Sequence, residues 1–485
     1  MMAPPFWTPA RMQQITSGRF LQPPSWQIDL RGLGTDTRSL TEDEVFLAIP
    51  GERFDGHDFV PAAVRAGAAM VIVSREIPLP SAGSAAVLLV ADTITALHQL
   101  AAAWRDERVH DGMRIVAVTG SCGKTTTRML IHDLLSRAAP TRQAPASYNN
   151  HIGVPLTLLS AKPHDRYLVA EIGTNHPGEI ADLSALVRPH VGVVTHIGRA
   201  HIEAFGSVEA VRREKLSMLE HLQATPHAPP LAVLPQEEVA AAEAAGMPEG
   251  TRIAPIPKPG SGGADPMRGE NDGMQFLWHG KRFHLALPGL HNVRNALMAL
   301  EVAAWADVEE TAMHVALAAA QPASMRGVIE RVGTGEQAIV LINDAYNANP
   351  ESMAAGLELL ANQPPPSPGG RRIAILGDML ELGEMAETAH RELGHRIATI
   401  SCSGESRPAV DAAAFIGNHA ATAMTEARRW RPDMELRQYE RLDEAAVDDL
   451  AAVVMPGDAV LLKASRGIGL ERLVEPIRGR LMARA

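Results

Sequence analysis

The chain has 485 residues, and at roughly 150 residues per domain this length predicts about three domains. Hydrophobic residues make up 46% of the chain and charged residues 21%, a composition that excludes wholesale disorder. The formal net charge is -11 and no long run of lysine or arginine occurs, so we expect no binding to a nucleic-acid backbone. An anionic substrate would therefore need a locally positive pocket.

Cysteine usage and hydropathy bear on the compartment. Cys122 and Cys402 are the two cysteines, too few for a disulfide framework and typical of a reducing compartment. The longest apolar stretches, such as 68–73, are far shorter than the ~18 residues that a membrane span needs. The first twenty residues lack the continuous apolar segment of a signal peptide. We therefore expect a cytoplasmic protein without membrane insertion.

The first hundred residues predict a small α/β domain, because turn-rich stretches separate short apolar strands at 45–49, 69–74 and 87–91. A helix predicted at 94–107 leads to a second unit. There, a buried-strand pattern at 113–119 is followed at once by glycines and a helix-forming run at 124–138. Strand, glycine loop and helix in this order open a parallel nucleotide-binding sheet, which further strands at 167–170 and 191–195 continue.

The second half of the chain predicts an excursion and a third α/β unit. Residues 235–273 are rich first in Ala and Glu and then in Pro and Gly, which predicts an exposed irregular excursion. A helix is predicted at 291–305. From Arg326 onward, strands at 338–342, 372–376 and 459–462 alternate with helices at 352–361 and 386–399. We predict an α/β protein of three domains, 1–110, 111–322 and 323–485, with a doubly wound, P-loop-type, mostly parallel central sheet and a Rossmann-like C-terminal sheet.

The strongest chemical signal is Thr119-Gly-Ser-Cys-Gly-Lys-Thr-Thr126, which lies between a predicted strand and a predicted helix. Backbone N–H groups of such a loop surround phosphate oxygens, Lys124 adds positive charge, and the Thr125 hydroxyl can bind Mg²⁺. Val118 stands where the complete Walker pattern has glycine. We interpret Cys122 as a small filler and not as a thiolate. The predicted phosphate-binding residues are Gly120, Ser121, Cys122, Gly123, Lys124, Thr125 and Thr126.

Polar residues that follow later strands suggest further parts of a site. Glu171 ends a strand where parallel sheets place ligands, so it is a candidate for Mg²⁺ binding or, taken alone, for a cap or salt bridge. His196 and His201 follow the next strand and, taken alone, are interpreted as loop residues. Asn292 and Asn295 lie three residues apart on one helical face, which suits hydrogen bonds to a nucleoside or a capping role.

The motifs resemble the Mur ligase family of peptidoglycan synthesis. The resemblance runs, in order and spacing, through nearly the whole chain at 119–126, 149–159, 171–175, 200–206 and 290–295. Further stretches are similar to the family member that adds D-alanyl-D-alanine, namely 35–38, 51–59, 344–353, 376–383 and 463–467. The resemblance implies a first domain that holds a UDP-sugar, a second that binds ATP and a third that closes over both. It also implies ATP-driven ligation of D-alanyl-D-alanine to UDP-N-acetylmuramoyl-tripeptide through an acyl phosphate.

The resemblance also implies roles for individual residues. It makes Lys124, Lys215 and His201 catalytic. It makes Thr125, Glu171, His201 and Lys215 ligands of two Mg²⁺ ions, with Lys215 carbamylated by CO2. Without the resemblance, Lys215 in its charged helix would be interpreted as a solvated residue. The implied nucleotide contacts include Asn292, Asn295, Arg326 and Asp344, and the implied substrate contacts are Asp36, Thr37, Arg38, Asn150, Thr174, Asn175, Tyr346, Asn347, Asn349, Lys463, Ser465 and Arg466.

Two other functions stay open at this point. A sister Mur ligase that adds a single amino acid would share the middle domain, although the chain lacks the Asp-Asn-Pro-Arg string of the diamino-acid enzymes. A non-catalytic nucleotide switch would use the same loop for binding and domain closure for signalling. We expect the protein to act as a monomer.

Overall fold

The computed structural model describes residues 5–24, 29–51, 53–81, 83–145, 147–259, 267–268, 273–402 and 408–482. Within these residues the chain forms four sheets, three of them mostly parallel. No helix in this part of the chain combines the length and the apolar character needed to cross a bilayer. The architecture confirms the predicted α/β class and its three domains.

The first sheet has five strands: β1 (Arg19–Gln22), β2 (Leu33–Gly34), β3 (Val45–Leu47), β4 (Met70–Val73) and β5 (Ala86–Leu89). Its order is β1-β5-β4-β3-β2, and β1 is antiparallel to β5 whereas the other neighbours are parallel. Three helices follow or flank these strands: α1 (Pro9–Thr16), α2 (Val60–Arg65) and α3 (Thr93–His110). Helix α3 begins after Asp92, whose carboxylate accepts a hydrogen bond of 2.6 Å from the N–H of Thr95 and so satisfies an otherwise unpaired donor.

The central sheet contains β6 (Arg114–Thr119), β7 (Thr141–Gln143), β8 (Tyr167–Glu171), β9 (Val191–Val194), β10 (Leu231–Pro235) and β11 (Arg252–Ile256). All neighbours in the order β11-β10-β9-β6-β8-β7 are parallel. Strands β8, β9 and β10 are buried along their whole length, because helices cover both faces of the sheet. The connecting helices are α4 (Lys124–Leu135), α5 (Gly153–Leu159), α6 (Glu179–Val187), α7 (Ile202–Phe205), α8 (Val208–Leu216) and α9 (Val239–Ala244).

The excursion predicted at 235–273 is wrong for its first part. That part contains α9, and β11 pairs in parallel with β10 at the edge of the sheet. Pro255, which signalled a loop, is tolerated in β11 because an edge strand has one side free of ladder hydrogen bonds. Residues 260–266 and 269–272 of the predicted excursion lie outside the described residues.

A small antiparallel sheet follows, with β12 (Met267–Arg268), β13 (Met274–Trp278) and β14 (Lys281–Leu285). The turn between β13 and β14 is His279-Gly280, and both residues have positive φ angles, 47° and 76°. This is the backbone geometry that a two-residue hairpin prefers. Two helices, α10 (Leu290–Trp305) and α11 (Glu310–Ala318), then return to the central domain, where both pack against α4.

The C-terminal sheet contains β15 (Val328–Val332), β16 (Ile339–Asn343), β17 (Arg372–Gly377), β18 (Ala412–Ile416), β19 (Glu435–Tyr439) and β20 (Ala459–Lys463). The order is β15-β16-β20-β17-β18-β19; β15 is antiparallel to β16, and the other neighbours are parallel. The helices are α12 (Pro350–Asn362), α13 (Ala386–Thr399), α14 (Ala420–Trp430), α15 (Glu444–Val453) and α16 (Val474–Met482).

A continuous apolar core joins the first sheet to the central domain through α3. Trp104 of α3 contacts Phe6 and Trp7, with ring centroids 4.7 and 5.5 Å away, and its indole N–H donates to the Ala161 carbonyl at 3.0 Å. Aromatic contacts of this kind add to the free energy of burial. The first sheet is therefore packed firmly against the central domain. The C-terminal sheet has cores of its own, and Ile202 of α7 and Val208 of α8 reach one of them from the central domain.

Candidate active site

A cavity of about 850 Å³ lies between the central and C-terminal domains. It is bordered by residues that follow β6, β8 and β9 on one side and β16 and β20 on the other. Ligands of doubly wound sheets bind at this carboxyl edge. The predicted site residues that line the cavity are Ser121, Cys122, Gly123, Lys124, Thr126, Asn150, Glu171, Thr174, Asn175, His201, Asn292, Asn295, Arg326, Asp344, Tyr346, Asn347, Asn349 and Lys463.

The glycine loop connects the end of β6 to the start of α4, and its two glycines have positive φ angles that residues with a side chain rarely adopt. Gly120 has a φ of 144°, and a Cβ there would lie 2.1 Å from the Thr195 hydroxyl. Gly123 has a φ of 82° and caps α4. The Ser121 N–H donates to the His196 carbonyl at 2.7 Å, which fastens the loop to the end of β9. The loop therefore presents a fixed helix N-terminus to the cavity, the arrangement that binds phosphate.

Lys124 and Cys122 are the two titratable side chains of this loop. The Lys124 ammonium donates to the Gly120 carbonyl at 2.7 Å and so folds over the loop. Loss of water lowers the pKa of Lys124, and the nearby Glu171 carboxylate opposes that shift. Burial raises the pKa of Cys122 to about 11, so this side chain is a neutral thiol near pH 7. Lys124 is therefore the basic side chain of the loop, and Cys122 contributes no thiolate to it.

Glu171 is 1% exposed and uses both of its carboxylate oxygens. One oxygen accepts from the Thr125 hydroxyl at 2.9 Å and from Arg128 Nε at 3.3 Å, and the other accepts from Asn149 Nδ2 at 3.0 Å. These contacts fix the carboxylate beside a hydroxyl, and such hard oxygen donors suit Mg²⁺. In the part of the chain described, no three His, Cys, Asp or Glu side chains are grouped to hold a metal ion. The Thr125–Glu171 pair is the part of the predicted metal set that the hydrogen bonds bring together.

The other two predicted metal ligands have different surroundings. His201 lines the cavity, and its Nδ1 lies 2.5 Å from Oε2 of Glu381 in the C-terminal domain. Lys215 of α8 is 1% exposed, and within the described structure its Nζ is buried without a hydrogen-bond partner. The interpretation of Lys215 as a solvated helix residue is therefore wrong. Burial lowers the pKa of Lys215 well below its usual value, assisted by the Lys124 charge and opposed by Glu214.

The predicted nucleoside contacts lie at the start of α10, beside the loop. Asn295 donates to Asn292 at 3.2 Å, and Asn292 donates to the Pro288 carbonyl at 2.8 Å. A Cβ on Gly123 would lie 2.7 Å from Asn295 Oδ1, so the helix touches the loop directly. His196 also lines the cavity, with a buried Nε2 that has no partner in the described structure. Sequence patterns gave His196 no role, because a loop histidine alone carries no signal.

The C-terminal side of the cavity is built on β16 and β20. Lys463 is 2% exposed and forms an ion pair of 2.6 Å with Asp344, and it also donates to the Asn347 carbonyl at 3.2 Å. Asn349 reaches across to the Ser121 carbonyl at 3.4 Å. Arg326 lies over the ring of Tyr346, with Cζ 4.0 Å from the ring centroid. The structure thus brings Asn349 into contact with Ser121, which lies 228 positions away in the sequence.

Several predicted residues do not line this cavity: Gly120, Thr125, Lys215, Asp36, Thr37, Arg38, Ser465 and Arg466. Asp36 and Arg38 lie in the first domain, where they pair with each other at 2.6 Å and stay largely exposed. Hydrogen bonds from Arg38 lower the pKa of Asp36 to about 2. Ser465 donates to the Ala348 carbonyl at 3.3 Å, and Arg466 pairs with Glu471 at 3.0 Å.

A set of contacts between the central and C-terminal domains was missed by sequence reasoning. Arg199 pairs with Glu351 at 3.2 Å and with Glu392 at 2.7 Å. The Glu203 N–H donates to the Glu381 carbonyl at 3.2 Å, next to the His201–Glu381 pair. These pairs join loops of different domains, so no local pattern could have indicated them.

A phosphate loop at the end of one parallel sheet, faced by a lysine–aspartate pair at the end of another, defines a nucleotide-dependent enzyme whose substrates meet between two domains. Family descriptions that together match most of the chain, and relatives that match nearly all of it, show that the chain belongs to the Mur ligase family and is an ATP-dependent amide ligase. Three domain models of this family match the chain. They are described as Mur ligase family, catalytic domain (residues 29–105), Mur ligase middle domain (118–303), and Mur ligase, glutamate ligase domain (329–466).

Several relatives that match nearly the whole chain are named UDP-N-acetylmuramoyl-tripeptide–D-alanyl-D-alanine ligase. The protein of that name from Synechocystis is 34% identical over 93% of this chain and 93% of its own length. The one from Bacillus subtilis is 33% identical over 97% and 98%, respectively. A crystal structure of MurF from Acinetobacter baumannii matches with a TM-score of 0.82 and 30% identity over 98% of this chain and 99% of that one. MurF from Thermotoga maritima, in complex with ADP, matches with a TM-score of 0.74 and 27% identity over 94% and 99%.

Proposed function

We propose that the protein joins D-alanyl-D-alanine to the terminal carboxylate of UDP-N-acetylmuramoyl-tripeptide, using ATP. The observation that carries this proposal is the cavity between Lys124 of the phosphate loop and Lys463 of the C-terminal domain, which offers cations from two domains to an anionic substrate pair. The names of relatives that match nearly the whole chain support the choice of substrates.

The reaction requires two displacements. The tripeptide carboxylate attacks the γ-phosphorus of ATP, which gives an acyl phosphate and ADP. The amine of D-alanyl-D-alanine then attacks the acyl carbon, phosphate leaves, and the amine loses a proton. No protein nucleophile is needed, so catalysis rests on positioning and on charge stabilisation.

Each part of the cavity has a proposed role in this chemistry. The loop N–H groups and Lys124 bind the phosphates, and Arg326 adds a second cation from the other domain. Asn292 and Asn295 hold the nucleoside, and Asp344 reaches the ribose. The tripeptide and the dipeptide are assigned to the cavity residues Asn150, Thr174, Asn175, Tyr346, Asn347, Asn349 and Lys463. Ser465 and Arg466, which do not line the cavity, are assigned to the same substrates, and Asp36, Thr37 and Arg38 of the first domain to the UDP-sugar.

Mg²⁺ fits the donors at the carboxyl edge of the central sheet. Thr125, Glu171 and His201 would hold it, and when bound it supplies positive charge to the phosphoryl oxygens. The hydroxyl of Thr125 and the rigid carboxylate of Glu171 are 2.9 Å apart, which supports this assignment.

We assign a carbamate to Lys215, as a ligand of a second Mg²⁺. Burial lowers the pKa of this amine, which favours the neutral form that bonds to CO2 with release of a proton. Lys215→Ala should lose nearly all activity and regain part of it with high acetate, because a diffusible carboxylate replaces the missing ligand. Lys215→Arg should not be rescued. Ordinary turnover by the alanine variant would refute the carbamate.

Product analysis tests the ligation directly. The protein with ATP, UDP-N-acetylmuramoyl-tripeptide and D-alanyl-D-alanine should release phosphate and give the pentapeptide product by mass spectrometry, and Lys124→Ala should give neither. Hydroxylamine in place of the dipeptide should trap a hydroxamate. Phosphate release at the same rate with and without the two peptide substrates would instead indicate a nucleotide switch. Ligation of a single amino acid would indicate a sister ligase. A monomer, a cytoplasmic location and domain boundaries at 110 and 322 stay predictions.

A further inference from the structure

Tyr346 contacts both domains that form the cavity. Its hydroxyl donates to Ser147 Oγ of the central domain at 2.5 Å, and its ring lies under the Arg326 guanidinium, with Cζ 4.0 Å from the centroid. Its backbone N–H donates at 3.1 Å to the carbonyl of Met325, in the segment that joins α11 to β15. One residue thus contacts the central domain, the interdomain segment and an arginine of the cavity.

The ring of Tyr346 sets the position of Arg326. A guanidinium stacks on an aromatic face through its charge and its planar shape, which restricts an otherwise mobile side chain. Arg326 and Lys124 line the same cavity, so the guanidinium faces the phosphate loop, and its charge helps to lower the pKa of Lys124. The orientation of the Arg326 side chain therefore depends on the position of the Tyr346 ring.

The hydroxyl of Tyr346 donates its hydrogen bond to Ser147, which lies in the segment that orients Glu171. The Asn149 N–H donates to the Ser147 carbonyl at 2.9 Å, and the Asn149 side chain donates to Glu171 at 3.0 Å. The Tyr346–Ser147 bond crosses between domains, so it exists only while the C-terminal domain lies against the central one. This bond therefore links closure of the two domains to the segment that contains Ser147 and Asn149, beside the Glu171 carboxylate.

We propose that Tyr346 is a positioning residue that couples domain closure to the placement of Arg326. The proposal rests on the proposed function, because it takes the cavity to be the site of phosphoryl transfer. The hydroxyl bond to Ser147 holds the closed arrangement, and the ring then holds the guanidinium over the phosphate loop.

Two conservative variants isolate the hydroxyl bond. Tyr346→Phe keeps the ring and removes the donor, and Ser147→Ala removes the acceptor from the opposite domain. Each should lower kcat/KM for ATP by about fivefold, the effect of one neutral hydrogen bond. The double variant should be no worse than either single variant, since both delete the same bond. Additive losses, or no loss in either, would overturn the coupling.

A third variant tests the ring. Tyr346→Leu removes both the hydroxyl and the stacking surface, so kcat should fall about tenfold below that of Tyr346→Phe. X-ray scattering with ADP should show the same reduced compaction for the Phe, Leu and Ser147→Ala variants relative to the unchanged protein, because ring loss affects Arg326 and not closure. A Leu variant with the kcat of the Phe variant would refute the role of the ring.

The two proposals fail in distinguishable ways. If the unchanged protein makes no ligated product, the proposed function fails, while scattering with ADP still measures whether Tyr346 and Ser147 control closure. If ligation proceeds and the Phe and Ala variants compact as fully as the unchanged protein, the coupling fails alone. Thermal melting of each variant confirms that it is folded.

Discussion

Burial of the Lys215 amine lowers the stability of the fold, and we attribute its presence to function. Its amine is sealed in the central domain without a hydrogen-bond partner in the described structure, and an unsatisfied buried polar group opposes folding by about 1–3 kcal/mol. Lys215→Met has a similar shape without the amine, so it should raise the free energy of unfolding by about that amount and abolish ligation. Denaturant melts without Mg²⁺ or bicarbonate measure the gain.

The exposed Lys162 provides the matched control for this prediction. Lys162→Met should leave both stability and ligation close to those of the unchanged protein, because no buried amine is removed. A Lys215→Met protein that is less stable than the control would show that the amine has a stabilising partner.

At the level of single residues, the sequence predicted those whose role depends on their neighbours in the chain. Gly120, Gly123 and Lys124 belong to one loop, and their spacing alone predicts phosphate binding. Arg199 and Glu381 act through partners in another domain, and such pairings depend on how two sheets are placed. The residues that a sequence pattern can indicate are therefore those of the loop, and not those of the domain contact.

Among the structural elements, the phosphate loop depends on the absence of a side chain at Gly120. Gly120→Ala would place a Cβ 2.1 Å from the Thr195 hydroxyl, at a φ of 144° that side chains disfavour. We expect a stability loss of about 2–4 kcal/mol and loss of ATP binding, measured by melting and by calorimetry. Gly246 also has a positive φ, 82°, but open space around it. Gly246→Ala should cost only about 1 kcal/mol, so equal losses in the two variants would contradict the steric argument.

The residue immediately before strand β9, His190, makes a pH-dependent contact. His190 is 4% exposed, and its Nδ1 accepts from the Ile115 N–H of β6 at 2.9 Å. Burial, together with the Arg114 charge, lowers the pKa of His190 to about 4. The unfolded chain has a pKa near the usual ~6.5 and so binds the proton first, and stability therefore falls as the pH drops from about 6.5 towards 4.

This linkage predicts a measurable difference at pH 5. Between pH 7.5 and pH 5, His190 should cost the protein about 2 kcal/mol of unfolding free energy. His190→Asn keeps an acceptor for the Ile115 N–H but does not titrate. The unfolding free energy of this variant should therefore fall by about 2 kcal/mol less than that of the unchanged protein between pH 7.5 and pH 5. Parallel pH profiles of the two proteins would show that His190 is not the titrating group.

Element prediction succeeded where burial and local pattern agree. The strands before and after the phosphate loop are apolar and short, and the structure places β6, β8 and β9 close to the predicted ranges. Strand β11 contains Pro255 and was predicted as irregular, because its pairing with β10 is decided by the sheet and not by its own residues. The hairpin of β13 and β14 also escaped prediction, because its His-Gly turn is not one of the Asn-Gly or Asp-Gly pairs that signal a two-residue turn.

For the whole molecule, Arg199 is the main charge contact between the central and C-terminal domains. Its guanidinium pairs with Glu351, which is partly buried like Arg199 itself, and with the exposed Glu392. Arg199→Ala should shift the balance of open and closed forms about tenfold towards the open form, because two charge-assisted contacts are lost together. X-ray scattering should show a larger radius of gyration. The exposed Arg282 serves as the control, and Arg282→Ala should leave the profile unchanged.

A smaller effect is expected when one acid is neutralised. Glu392→Gln removes one contact of Arg199 and leaves Glu351, so the shift should lie between those of the unchanged protein and Arg199→Ala. A scattering profile of Arg199→Ala that matches the unchanged protein would show that the remaining contacts, among them His201–Glu381, are sufficient for closure.

The position of β20 has a consequence for synthesis on the ribosome. This strand, Ala459–Lys463, lies in the middle of its sheet between β16 and β17, although it is made more than eighty residues after β17. Until it emerges, β16 and β17 lack their shared neighbour and Asp344 lacks its lysine. The phosphate loop can therefore fold early while the opposite wall forms last. A nascent chain does not gain a complete ATP-consuming site until translation has nearly finished.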